Sequence, residues 1–243
     1  MRDTAHRFWV SVLLAAGVAA AVHAQDASPR QSAPFDPAGY WTAVVTEDWR
    51  WRMATPPKGD YASVPLNATG RAAADTWDPR RDGTSCKMYG AAGLMRLPLR
   101  LHITWLDDRT LRIETDHGSQ TRLLYFDDRT RAASSPSLQG HSRARWDGNP
   151  GGRFEFVTIA PQLSHLTVVT TNLTPGYLRR NGVPYSERAV LTEHLDHHSD
   201  FGDAWLTVTS IVDDPVYLSE AFITTSSFKR LPDGSSWTPR PCT

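Results

Sequence analysis

Cysteine is scarce in this 243-residue chain, with only Cys86 and Cys242 present. No CxxC pair, haem-attachment motif, Walker phosphate loop, dinucleotide fingerprint or HExxH helix occurs, so no cofactor is implied and the familiar cofactor enzymes are disfavoured. His141-Ser142 stands outside any Gly-x-Ser-x-Gly elbow, which removes the usual sequence sign of a hydrolase. Net charge is missing too: 26 Lys and Arg balance 26 Asp and Glu. Neither nucleic acid nor an anionic membrane surface has an electrostatic reason to bind.

Long apolar runs are almost absent. The one candidate, residues 8–22, is shorter than the roughly 20 residues a membrane span needs. Preceded by Arg2 and Arg7 and followed by Val22-His23-Ala24, it reads as a secretory signal peptide of residues 1–24 cleaved after Ala24. Membrane insertion is therefore not expected. The implied location is the periplasm or the exterior, with a mature chain from about Gln25. Losing Arg2, Arg7 and Asp3 leaves 26 − 2 = 24 positive and 26 − 1 = 25 negative groups, a net of −1. In an oxidising compartment Cys86 and Cys242 are expected to form a disulfide, worth about 4 kcal/mol by chain entropy, although two free thiols remain the alternative.

What is present is strand pattern. After a polar lead at 25–34, read as a flexible linker, Phe35-Asp36-Pro37-Ala38-Gly39-Tyr40-Trp41 opens the first strand, 40–53. A Gly two residues before a Trp is the pattern of a plugged barrel end: glycine turns the chain inward and the indole fills the floor. Asn67 caps a helix over 67–77, weakened by Gly70 and ended by Asp78-Pro79, with Ala73 and Trp77 on one face. Further strands are predicted at 101–106, 111–115, 121–126, 142–146, 153–159, 166–173, 189–195, 205–212 and 221–230, several separated by acidic turns. The fold class is all-β: an antiparallel barrel of about ten strands with one short helix, closed to hide its edges.

Several constellations are candidates for chemistry. If the first strand continues to residue 53, Glu47, Trp49 and Trp51 share a face, giving an aromatic wall with a carboxyl of raised pKa; the alternative leaves Glu47 at the rim, paired with an Arg. His102, Glu114, Arg122 and Tyr125 would make a half-polar interior, with His102 as a partner acid or base to Glu47, or else a wet outer face. The loop 170–187 is punctuated by Pro and Gly, and Tyr177, Arg179 and Tyr185 are its ligand-contact candidates. The run His194-Leu195-Asp196-His197-His198-Ser199-Asp200 has ligand-type residues but reads as a solvated hairpin tip, so no metal site is assigned.

Gly39-x-Trp41 after Phe35-Asp36 resembles the entry to the first strand of lipocalin-like barrels. That resemblance implies a basic cap on the tryptophan from the last strand, Arg230 or failing it Lys229. Over 35–243, read as one domain, the chain also resembles a largely uncharacterised group of exported bacterial β-barrel proteins. The matching elements are residues 66–78, Cys86, Gly93-Leu94-Met95, Gly140-His141-Ser142 with Trp146-Asp147-Gly148, and Val212-Asp213-Asp214-Pro215. It departs from them by an insertion at 149–165. The group implies a fold and brings no catalytic residue with it. The function expected is periplasmic binding of a small hydrophobic or aromatic molecule in a barrel cavity, with Trp49, Trp51, Arg122, Tyr177, Arg179 and Tyr185 as contacts. The alternative is a cofactor-independent isomerase, lyase or cyclase using Glu47 and His102 in the same cavity.

Overall fold

A computed structural model describes residues 27–82, 86–127, 135–149, 152–154, 156–159 and 162–242; the expected signal peptide lies outside them. The alternating residues of the chain close into a barrel of nine strands: β1 (Gly39–Val44), β2 (Arg100–Asp107), β3 (Thr110–Thr115), β4 (Thr121–Tyr125), β5 (His141–Asn149), β6 (Gln162–Thr171), β7 (Val190–Asp200), β8 (Asp203–Asp213) and β9 (Phe222–Arg230). Each strand pairs with the next, and β9 returns to β1. In a ring of nine, directions cannot alternate throughout. The mismatch falls between β4 and β5, which run parallel and share only Leu124↔Ser142 and Tyr125↔Arg143.

The expected tenth strand, 153–159, is not in the barrel. Strands β5 and β6 pair directly from His141↔Thr171 to Asn149↔Gln162, leaving no gap between them. The segment instead folds on itself, Gly152–Phe154 against Val157–Ile159, as a ribbon beyond the wall. The His194–Asp200 run also differs from expectation: it is not a hairpin tip but the second half of β7. The turn itself is Phe201-Gly202, both at positive φ (50° and 82°), the two-residue connection that matches strand twist.

At the floor, Trp41 is fully buried and donates its indole N–H to the Pro37 carbonyl at 3.0 Å. The guanidinium of Arg230, rather than Lys229, lies 5.4 Å from its ring centre and donates to the Ala38 carbonyl. Gly39, at φ +135°, sits under that guanidinium, where a Cβ would come within 3.0 Å of Arg230 Nη2. The lead segment expected to be a linker is docked here from residue 27 on. Trp146 donates to the Pro29 carbonyl at 2.7 Å, Arg30 bonds to Asp108, and Phe35 packs edge-on to Trp146 and stacked on His197.

Burial among these rings, with Arg230 and His198 nearby, holds the His197 imidazole below its ordinary value of 6.5. Below pH 6.5 the unfolded chain takes up a proton that the folded one refuses, so stability is lost as pH falls from 6.5 through the depressed folded value. Replacing His197 by Phe is expected to shrink the difference in urea midpoint between pH 7.5 and pH 5. An unchanged difference would mean that another group carries the acid sensitivity.

Above the floor the lumen is a packed core. Leu101, Ile103, Leu111, Ile113, Leu124, Leu166, Val168, Leu195, Leu206, Val208 and Phe228 point inward at near-zero exposure. Among the described residues four short helices and a 3₁₀ turn, rather than one helix, cap the opposite end: α1 (Trp49–Arg52), α2 (Ala68–Ala74), α3 (Pro79–Asp82), Cys86–Tyr89 in 3₁₀ form, and α4 (Ala91–Leu94). The ribbon Gly176–Arg179 with Val183–Tyr185 completes the cap. Asn67 caps α2 as expected, its Oδ1 accepting from Gly70 N at 2.9 Å. Gly70 weakens the helix but permits close approach, since a Cβ there would meet the Tyr217 carbonyl at 2.3 Å. Asp214 pins the cap to the barrel by accepting from Ser186 N, Ser186 Oγ and Val216 N. Cys86 and Cys242 form the disulfide, tying the C-terminal tail to the 3₁₀ turn.

Candidate functional site

The first strand ends at Val44, and residues 49–52 form the helical turn α1 instead of continuing it. The reason is pairing. Strand β2 begins at Arg100 opposite Thr42, so an extended chain beyond Val44 would have no neighbour on that side. Asp48 turns the backbone at φ 52°, and Arg52 N and Met53 N close helical bonds to the carbonyls of Asp48 and Trp49. With strand parity gone, the expected Trp49–Trp51 wall is lost. Trp49 is 65% exposed, while Arg52, expected on the opposite face, is only 2% exposed.

Arg52 belongs to a cluster at the barrel mouth. Together with Arg96, Arg179 and Arg180 it lines a narrow crevice shared with Trp51, Met88, Gly93, Leu97, Tyr177 and Leu178. Arg52 pairs through Nη1 with Glu47 and donates Nε–H to the Arg96 carbonyl at 2.8 Å. Arg96 pairs with Asp48 at 2.9 Å. Among the described residues Arg179 reaches only a carbonyl, that of Ala62 at 2.6 Å, and Arg180 only the carbonyl of Arg52 at 2.7 Å. The Arg179 guanidinium lies over Trp51, 4.8 Å from the ring centre. Both it and Arg96 approach Phe222. Burial, reinforced by the Arg96 charge, brings Arg179 down to about 10 despite Asp48 and Asp60; Arg52 and Arg180 are lowered for the same first reason.

A second space opens beside the first. Ala73, Thr76 and Trp77 from the end of α2 face Gly176, Tyr177, Pro184 and Tyr185 of the ribbon, with Lys87 and Tyr217 at the sides, around a cleft of about 170 Å³. The helix stops at Ala74, short of the expected 77, yet Ala73 and Trp77 still line the same cleft because the chain turns after Ala74. Gly90 and Gly176 admit the phenol of Tyr185; a Cβ on either would overlap its hydroxyl. That hydroxyl and the Trp77 indole N–H are buried without a protein partner, and burial raises the Tyr185 pKa. Lys87 lies 5.6 Å from the Tyr177 ring centre. The lining carries no carboxylate or imidazole.

Of the residues singled out from sequence, Tyr177 and Tyr185 meet in this cleft, and Trp51 and Arg179 meet in the crevice. Tyr177 borders both. Arg122 is elsewhere: it points into the lumen, 1% exposed, in a two-pronged ion pair with Glu193 at 2.7 and 3.3 Å and in bonds to Ser142 and Thr170. Glu114 and Tyr125, expected with it, face outward on β3 and β4. The candidate acid and base are not brought together. Glu47 sits on Arg52 at the mouth, whereas His102 is on the outer wall, stacked on Tyr40 at 4.2 Å and 3.3 Å from Glu114. Among the described residues no group of three His, Cys, Asp or Glu side chains converges as metal ligands.

Arg96, Arg52, Trp77 and Tyr217 are contributors that sequence reasoning misses. Arg96 leaves a signal, the single cation in the otherwise apolar stretch from Ala91 to Leu99. Comparison of the chain with protein-family models, curated proteins and solved structures finds no match.

Proposed function

We propose that the protein, once exported, binds one small aromatic or apolar ring-bearing molecule in the cleft between α2 and the Gly176–Tyr185 ribbon rather than in the barrel lumen. The observation that carries this reading is the cleft lining, in which Trp77, Tyr177, Tyr185 and Tyr217 surround about 170 Å³. A cavity of about 150 Å³ holds a benzene-sized ring. Small-molecule sites commonly combine ring-bearing walls with a few hydrogen-bonding groups, and this lining combines four aromatic side chains with Thr76 and Lys87. A lumen filled by aliphatic side chains supports placing the ligand outside it. Binding is favoured over catalysis because the lining offers no carboxylate or imidazole to move a proton. The disulfide fits an oxidising compartment.

The test is native mass spectrometry of protein taken from its own export compartment, followed by titration with phenol and indole. One-to-one binding is expected in the wild type. It should weaken at least about tenfold in Ala73→Trp, which fills the cleft from the surface of α2, with an unchanged unfolding midpoint; each 1.4 kcal/mol lost is a factor of ten. Equal affinity in the filled variant would place the ligand elsewhere, and no binding of any ring probe would end the reading.

A further inference from the structure

The four arginines at the barrel mouth are a poor arrangement for an empty protein. Arg52 and Arg96 each have a carboxylate partner, Glu47 and Asp48. Asp60, the remaining acid nearby, is held by Arg50 and the Trp51 indole at 3.0 and 3.2 Å. Arg179 and Arg180 therefore have no carboxylate of their own, and Arg179 is only 4% exposed. Five guanidinium nitrogens around the crevice are buried without a hydrogen-bond acceptor: Arg52 Nη2, Arg96 Nη1, Arg180 Nε, and both Nε and Nη2 of Arg179. Leaving buried charge uncompensated is costly, and folded proteins rarely tolerate it without another use.

The stereochemistry of Arg179 says what that use is. In a guanidinium the Nε–H and the Nη2–H point to the same side, forming the planar fork that accepts two oxygens of one anion. Here Nη1, the nitrogen outside that fork, is the one spent on the Ala62 carbonyl, and the fork itself is untouched. The Trp51 ring against the guanidinium fixes its plane. Arg96 is close enough to act on both Arg52 and Arg179 electrostatically, so the positive charges reinforce one another.

We propose that this crevice, which has room for about 10 Å³ as it stands and must widen to admit an anion, is an oxyanion-binding site in which a carboxylate or phosphoryl group docks two-pronged on the Nε/Nη2 edge of Arg179, with Arg52, Arg96 and Arg180 supplying further donors. The site stands independently of the ring-binding cleft, since it rests on the arginines and not on the tyrosine walls. It differs in kind from the lumen pair, where Arg122 meets a buried Glu193 that already neutralises it.

The experiment is thermal unfolding of the mature protein at constant ionic strength, with chloride replaced stepwise by acetate, phosphate or sulfate. A saturable rise of roughly 5–10 °C is expected at an anion concentration about 100 times its Kd. A rise with acetate alone identifies a carboxylate site; a rise with phosphate or sulfate identifies a phosphoryl-type site. Arg179→Lys keeps the charge but loses the fork, and Arg179→Met loses both; each is expected to abolish the rise. Without added anion, Arg179→Met should melt no lower than the wild type, because it removes a buried charge that has no direct ion-pair partner and that Asp48 and Asp60 offset only from a distance. The proposal fails if no oxyanion raises the wild-type midpoint, if Arg179→Lys responds as the wild type does, or if Arg179→Met alone melts well below it, which would make Arg179 a structural residue.

Discussion

Glu193→Leu is expected to cost about 3–5 kcal/mol of stability, among the largest effects of any single substitution in the barrel. Both side chains of the Arg122–Glu193 pair are 1% exposed, so removing the carboxylate strands a guanidinium in the lumen with only the hydroxyls of Ser142 and Thr170 for company. The pair itself contributes far less than the cost of breaking it. Desolvating both groups offsets most of their attraction, and Arg122 Nε has no partner even now. The double variant Arg122→Met, Glu193→Leu should therefore recover most of the loss. Urea unfolding of the two single variants and the double variant decides the matter. A single-variant cost below about 1 kcal/mol would show that water reaches the pair and that the lumen is not dry.

Trp41→Ala is expected to lose a similar amount, about 3–5 kcal/mol, by a different route. The indole is fully buried at the floor, and its removal leaves a cavity lined by residues that strands on both sides hold in place. It also strips the Pro37 carbonyl of its donor and the Arg230 guanidinium of the ring beneath it. Trp41→Phe keeps much of the volume and loses the hydrogen bond, so its cost should be near 1–3 kcal/mol. Measured unfolding free energies in that order support a floor plug held by packing first and by the indole N–H second. Equal costs for the two variants would mean that the hydrogen bond, not the volume, matters.

The lumen and the mouth treat buried arginine in opposite ways. Arg122 is neutralised within the fold and its loss is predicted to destabilise, whereas Arg179 has no acid of its own and its loss is predicted to cost nothing in the empty protein. A measured cost near zero for Arg179→Met would favour a ligand over the fold as the reason for that buried cation.

Much of the barrel was legible along the chain. Period-2 alternation places Leu101, Ile103, Leu111 and Ile113 on one face whatever surrounds them, because successive Cβ atoms of a strand point to opposite sides. Gly39-x-Trp41 marks the floor, Asn67 marks a helix start, and the two cysteines have only each other as partners within the chain. These features rest on local geometry or simple counting. Alternation does not tell which face is interior, so the sequence alone groups Arg122 with Glu114 although closure puts one inside and the other outside. Nor does it tell where a strand runs out of neighbours. Trp49-Arg50-Trp51-Arg52 alternates as a strand would, yet it coils because β2, which begins opposite Thr42, gives it no partner on that side. The candidate sites were legible only in part: Trp51, Tyr177, Arg179 and Tyr185 stand out in the sequence, but Arg52, Arg96 and Arg179 are far apart in the chain, and only the cap folding back over the barrel mouth puts their charges into one crevice.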